Sequence, residues 1–217
     1  MTSSTQSQQW FGLKELDRKI AEHVRDPVGT FVELGAADGV NQSNSLHFES
    51  KGWRGVLIEP VPAQFEACLR NRPLAQVFNC ACVPPGQEGF VDMTVVGLMS
   101  LVVGALGGGE REAAWIERGA GFSSAPYPIR TPARTLTSVL EEARLSVIDL
   151  LVLDVEGYEA PVLEGLDFSR FAPRWIVAED RYDDEVKDHL EPRGYELTSV
   201  LNEKRFSRDR LFRRLAG

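Results

Sequence analysis

No stretch of this 217-residue chain approaches the roughly 20 apolar residues of a membrane-crossing helix. A surplus of positive charge is missing as well. The 24 Lys and Arg face 32 Asp and Glu, and a net charge of −8 repels phosphates, so neither a membrane nor nucleic acid is expected as a partner. Cysteine is scarce: of Cys68, Cys80 and Cys82 the last two make a C-x-C, with no second pair to complete a zinc site, which suits buried, reduced thiols. The opening residues, MTSSTQSQQ, hold neither a basic region nor an apolar run, and the expectation is a soluble, cytoplasmic protein. Nothing in the sequence repeats.

What is present suits one folded unit. With 43% hydrophobic residues the chain can bury a core, and domains of about 100 to 200 residues leave little room for a second one. Residues 1–9 read as a flexible tail and 10–217 as a single domain. Leu13, Leu16, Ile20 and Val24 recur at helical spacing, and Asp26-Pro27 stops that helix. Strands are expected at 30–34, 55–59, 76–83, 147–154 and 175–179, with helices at 62–71, 137–144 and from Ala160. The 147–154 run is almost wholly apolar, as in a strand buried on both faces of a parallel sheet. Strands at 89–96, 195–201 and 210–213 and a helix at 184–190 complete the pattern. This alternation predicts an α/β fold, a mostly parallel sheet built from right-handed crossovers. Residues 97–127, rich in glycine and carrying Met99, Trp115, Phe122 and Tyr127, read as a lid and substrate loop.

In such folds ligands bind beyond the carboxyl ends of the strands. The first strand runs into Glu33-Leu34-Gly35-Ala36-Ala37-Asp38-Gly39-Val40-Asn41, where small residues let a backbone approach a ligand. A dinucleotide fingerprint would need glycine at 35, 37 and 40, and only Gly35 is there. The carboxylates of Glu33 and Asp38 beside the turn suit a cationic ligand instead. S-adenosylmethionine, with a sulfonium, an ammonium and no phosphate, is such a ligand. Glu59 follows Gly39 by the roughly 20 residues that place an acid on a ribose, a feature an NAD enzyme would share. At the fourth strand Asp154, Glu156 and Glu159 crowd into six residues, and the fifth ends in Glu179-Asp180. Carboxylates converging there would suit a divalent ion such as Mg, with Asp154, Glu179 and Asp180 as ligands. Glu156 and Glu159 can equally be acids at a helix start, favoured by its dipole.

These residues carry a resemblance. Gly35-Ala36-Ala37-Asp38-Gly39 with Asn41, Ser43 and Asn44, then Gly52-Trp53-Arg54-Gly55 leading to Glu59-Pro60, then Met99-Ser100, Arg134-Thr135-Leu136, and above all Asp149 to Glu164 (DLLVLDVEGYEAPVLE), together resemble the FkbM family of S-adenosylmethionine-dependent methyltransferases. The likeness runs from Phe31 to Tyr195. It implies the class I methyltransferase sandwich, Rossmann-like, with an antiparallel final strand at 210–213, and methylation of hydroxyls on secondary metabolites or sugars. It further implies that Glu33, Gly35, Ala36 and Asp38 flank the methionine part of the cofactor with Asn41, Ser43 and Asn44 nearby. Glu59 and Pro60 would serve the ribose, Ala81 and Cys82 the adenine, and Asp154 and Glu156 the methyl group and acceptor. Where many members carry Asp and Ala-Asn, this chain has Glu33 and Ala37-Asp38, which keeps the turn and its acidity.

An alcohol is a poor nucleophile until it loses its proton, so a base or a metal is needed. Asp154 and Glu156 are the candidate bases; His47 reads as helix packing, and His23 and His189 as surface residues. An NAD-dependent oxidoreductase and a non-catalytic adenosyl-binding module stay open, and a homo-oligomer is compatible with the sequence.

Overall fold

The computed structural model describes residues 9–123, 125–181 and 184–215. The expected tail lies, Gln9 apart, outside them. In chain order the elements are α1 (Leu16–His23), β1 (Thr30–Leu34), α2 (Leu46–Ser50), β2 (Arg54–Ile58), α3 (Pro62–Asn71), β3 (Gln76–Phe78), β4 (Ala81–Cys82), β5 (Gly89–Val95), β6 (Leu101–Val102), α4 (Gly109–Ala120), β7 (Tyr127–Arg134), α5 (Leu136–Ala143), β8 (Leu150–Leu153), α6 (Glu159–Glu164), β9 (Trp175–Asp180), α7 (Glu185–Leu190), β10 (Tyr195–Glu203) and β11 (Arg208–Arg214). Among the described residues no helix is long and apolar enough to cross a membrane.

Seven strands form the main sheet in the order β10-β11-β9-β8-β1-β2-β3. The pairs from β3 through β9 are parallel, and β11 runs antiparallel to both β9 and β10. Side-chain alternation sends each strand to two cores. Leu150 and Val152 face one with Phe31, Trp53 and α1 to α3; Leu151 and Leu153 face the other with Val32, Leu34 and α5 to α7. Local chemistry sets the helix starts: Pro62 opens α3, and the Thr135 hydroxyl caps α5 by accepting from the Ser138 amide.

A second sheet, β4-β7-β5-β6, is inserted between β3 and α5. It accounts for the first departure from expectation, the split of the 76–83 strand. The Asn79 amide donates to the carbonyls of Glu59 and Pro60, the chain bends there, and Ala81–Cys82 pairs with β7 instead. The 147–154 strand is shorter than expected because Asp149 turns to accept from the amide and hydroxyl of Thr30, locking β8 to β1 at their starts. Residues 97–127 are not one loop. They hold β6 and the twelve-residue α4, and Glu112 pins the turn before that helix by accepting from the amides of Gly104 and Leu106.

Candidate functional site

Strand register builds the site. Leu34 is paired with Ile58 and with Leu153, and Leu153 with Ala178, so the next residues, Gly35, Glu59, Asp154 and Glu179, form a row along one sheet edge. Above that row lies a cavity of about 750 Å³, in the range of small-molecule sites. Its floor comes from the ends of β1, β2, β8 and β9, and its cover from β5, β6, α4 and the 203–207 turn.

The loop after β1 is held from beneath. Glu33 accepts from the hydroxyls of Ser43 and Ser45 on one oxygen and from the Asn44 amide on the other, so its carboxylate organises the loop while still lining the cavity. Asp38 accepts from the amides of Val40 and Asn41, closing a tight turn. Arg72, fully buried, ties the loop to α2: it pairs with Glu49 at 3.1 Å and donates to the Gly39 carbonyl and the Ser43 hydroxyl. Gly35 sits at φ +77°, and a Cβ there would lie 2.0 Å from the Asp154 carbonyl oxygen. Only glycine lets β1 and β8 end this close together.

Glu59 is buried at the end of β2. One carboxylate oxygen accepts from the Ala37 amide and the other from the Val61 amide, each at 2.8 Å, which leaves each oxygen a further lone pair. Burial pushes its pKa up to about 7 against those two donors. Pro60, Ala36 and Asn41 line the cavity, and so does Asn44, whose Oδ1 is buried without a hydrogen-bond partner. Cys80, Ala81 and Cys82 also line it, and the cysteines are free thiols. A hydrogen bond between Cys80 and Cys82 lowers the first thiol and raises the second.

The structure brings together Asp154, Glu156 and Glu179, one oxygen of each within 4.8 Å of the others. Asp180 does not join them. It shares the face of Ile176 and Ala178, opposite to Glu179, and is paired with Arg208 and Arg210. Two cations that the sequence reading missed, Arg181 and Lys204, sit among the acids. Arg181 pairs with Glu156 and, at 3.1 Å, with Glu179; Lys204 reaches Glu179 at 2.8 Å and Asp209 at 3.1 Å. Burial would raise Glu179, but Lys204 and Arg181 outweigh it and hold the carboxyl below its ordinary value. Asp154 goes the other way, raised well above the carboxylate range by burial and by the charge of Glu179. Burial, with the charges of Glu179 and Asp154, raises Glu156 against the opposing pull of Arg181.

Glu156 adopts φ +60° without being glycine, a strained backbone of the kind that clusters at functional sites. Its neighbours hold it there. Glu159 accepts from the amides of Val155 and Gly157, and burial raises its own pKa to about 7. The cover brings Trp115, whose ring lies 3.9 Å from the Arg181 guanidinium carbon, with Met93, Met99, Phe122 and Phe206. His47 packs on Trp10 with ring centres 4.1 Å apart, while His23 and His189 are half-buried; none of the three lines the cavity.

A family model described as the methyltransferase FkbM domain matches residues 33–197. No curated protein matches the chain. Among solved structures the METTL16 MTase domain is similar with a TM-score of 0.52 and 13% identity, over 95% of this chain and 70% of that one. Escherichia coli yhhF gives 0.51 at 13% identity over 95% and 88%. Human methyltransferase 10 domain containing protein gives 0.50 at 12% over 93% and 83%. At such identities these structures speak for the fold alone, and that fold is the class I methyltransferase sandwich.

Proposed function

Since this chain belongs to the FkbM methyltransferase family and is thereby an S-adenosylmethionine-dependent enzyme, we propose that its acceptor atom is a hydroxyl oxygen of a small molecule, a secondary metabolite or a sugar. The observation that carries this reading is Asp154. It lines the cavity in the same row as Gly35 and Glu59, and burial with the charge of Glu179 raises its carboxyl well above the ordinary value, which makes it a stronger proton acceptor. A hydroxyl must give up its proton to become a good nucleophile, whereas a neutral amine already carries a nucleophilic lone pair.

S-adenosylmethionine supplies an electrophilic methyl group on a sulfonium. The floor fits it: Glu59 offers two free lone pairs to the ribose and Asn44 an unpaired oxygen to the ammonium. Asp154 takes up the proton the acceptor hydroxyl loses, and Glu156, fixed by Arg181, lines the acceptor side. The α4 segment excludes water and contributes acceptor contacts, which retains the lid in helical form.

A divalent ion fits this set poorly. Asp180 is turned away, and the carboxylates of Glu156 and Glu179 already hold Arg181 and Lys204. Deprotonation is therefore assigned to Asp154 and not to a metal. An NAD-dependent oxidoreductase is set aside by the family and by the acids that surround the turn.

Calorimetry with S-adenosylmethionine and its demethylated product, on wild type and Glu59→Ala, tests the pocket; binding lost in the variant is expected. A screen of hydroxyl and amine acceptors, with Mg and with chelator, tests the chemistry. Turnover on hydroxyls that survives chelation is expected. Amine-only turnover, or tight binding without turnover on any class, would sink the proposal.

A further inference from the structure

Methyl transfer accounts for the acidic floor of the cavity and leaves its rim unexplained. Two arginines stand there, Arg118 near the end of α4 and Arg205 in the turn between β10 and β11, both exposed and both lining the cavity. They lie around one ring. The guanidinium carbon of Arg118 is 5.1 Å from the centre of Phe206, and that of Arg205 is 4.9 Å from the same point. Among the described residues neither makes an ion pair, although Glu117 and Glu203 lie close to them in sequence. Stacking fixes the plane of a guanidinium and leaves its edge N–H groups available. Two such edges at one opening match carboxylate or phosphate oxygens.

The rim is within reach of the floor. Arg118 and Arg181 flank the same Trp115 indole, at 5.7 and 3.9 Å from its centre, and Arg181 is bound to Glu156. One indole ring thus stands between Arg118 and the Arg181 that holds Glu156, and Phe206 joins Arg205 to Arg118 along the lining of the same cavity. We infer that the acceptor carries, besides its hydroxyl, an anionic oxygen group, carboxylate or phosphate, which Arg118 and Arg205 receive while the hydroxyl lies at Asp154. This rests on the methyltransferase reading of the same cavity.

The test titrates inorganic phosphate and, separately, acetate into the protein saturated with S-adenosylhomocysteine, with Trp115 beneath Arg118 as a fluorescent reporter. Wild type, Arg118→Gln and Arg205→Gln are compared. Saturable binding of at least one anion, weakened fivefold or more by each substitution with cofactor-product affinity unchanged, is expected. Preference for phosphate points to a phosphorylated acceptor, and preference for acetate to an acid. Binding of neither anion, or equal binding in all three proteins, overturns the inference. Failure of wild type to bind S-adenosylhomocysteine would overturn the methyltransferase reading instead, and the same titration without it still decides the rim.

Discussion

The floor and the cover of the cavity are built on opposite terms. Beneath the floor most polar groups are committed to one another, Glu33 to two serines and an amide, Glu159 to two amides and Arg72 to Glu49, and the groups left open are those of Glu59 and Asn44. On the cover polar groups are exposed and stacked on rings, as Arg118 and Arg205 are on Phe206, which is itself 44% exposed. A mutually satisfied network is rigid and costly to alter, whereas a stacked, solvated surface changes cheaply. The floor therefore suits a cofactor that stays the same, and the cover an acceptor that can vary.

Substitution should separate the two regions. The largest effect is expected from Gly35→Val, which drives a side chain into the Asp154 carbonyl; it should cost upwards of about 4 kcal/mol in denaturant unfolding and abolish cofactor binding. Unchanged binding would mean that the floor is softer than described. Asp154→Asn comes next, with turnover lowered by about 10²- to 10⁴-fold and cofactor affinity retained by calorimetry. A loss smaller than tenfold would move the base elsewhere.

Arg72→Met leaves Glu49 buried and unpaired, so about 3 to 5 kcal/mol of stability should be lost. Adding Glu49→Leu should return part of it, measured as a double-mutant cycle. The smallest effect is one of pH. The Glu59 carboxyl is raised from 4.5 to about 7 in the folded protein, so folding favours its protonated form. Its contribution to stability is complete below pH 4.5 and is lost as the pH rises toward 7. Glu59→Gln should therefore gain on wild type in melting temperature across that window. Adenosine, whose ribose requires the ionised carboxylate, should bind wild type more tightly as the pH rises through about 7, and the variant should show no such trend. A flat wild-type profile would deny Glu59 its ribose role.

Much of the floor was legible in the sequence because it is local. Gly35, Asp38 and their neighbours lie in one short run, and Glu59 follows at a spacing fixed by one crossover unit. The misassigned Asp180 shows where local reading stops. Adjacency to Glu179 suggested a shared ligand set, but strand alternation turns it toward Arg208 and Arg210, whose antiparallel pairing with β9 leaves no mark in the sequence around 180. Arg181 and Lys204 were missed for the same reason, since Arg181 meets Glu156, from beyond β8, and Lys204 meets Glu179, from β9. The helix α4 was hidden by glycine on either side of it, which reads as loop while the residues between, Glu110 to Glu117, favour a helix.

The C-x-C thiols give the cavity a chemical gauge of its own. Cys80 and Cys82 line it but are 2% and 4% exposed, so an alkylating reagent can reach them only when the surrounding structure opens. A cofactor that binds the closed form must slow that reaction in proportion to its occupancy. Cys68, buried and pushed up to about 12, stays nearly silent. The rate of alkylation therefore counts filled sites before any acceptor is known, and a rate indifferent to S-adenosylhomocysteine would show that the thiols lie clear of the bound nucleoside.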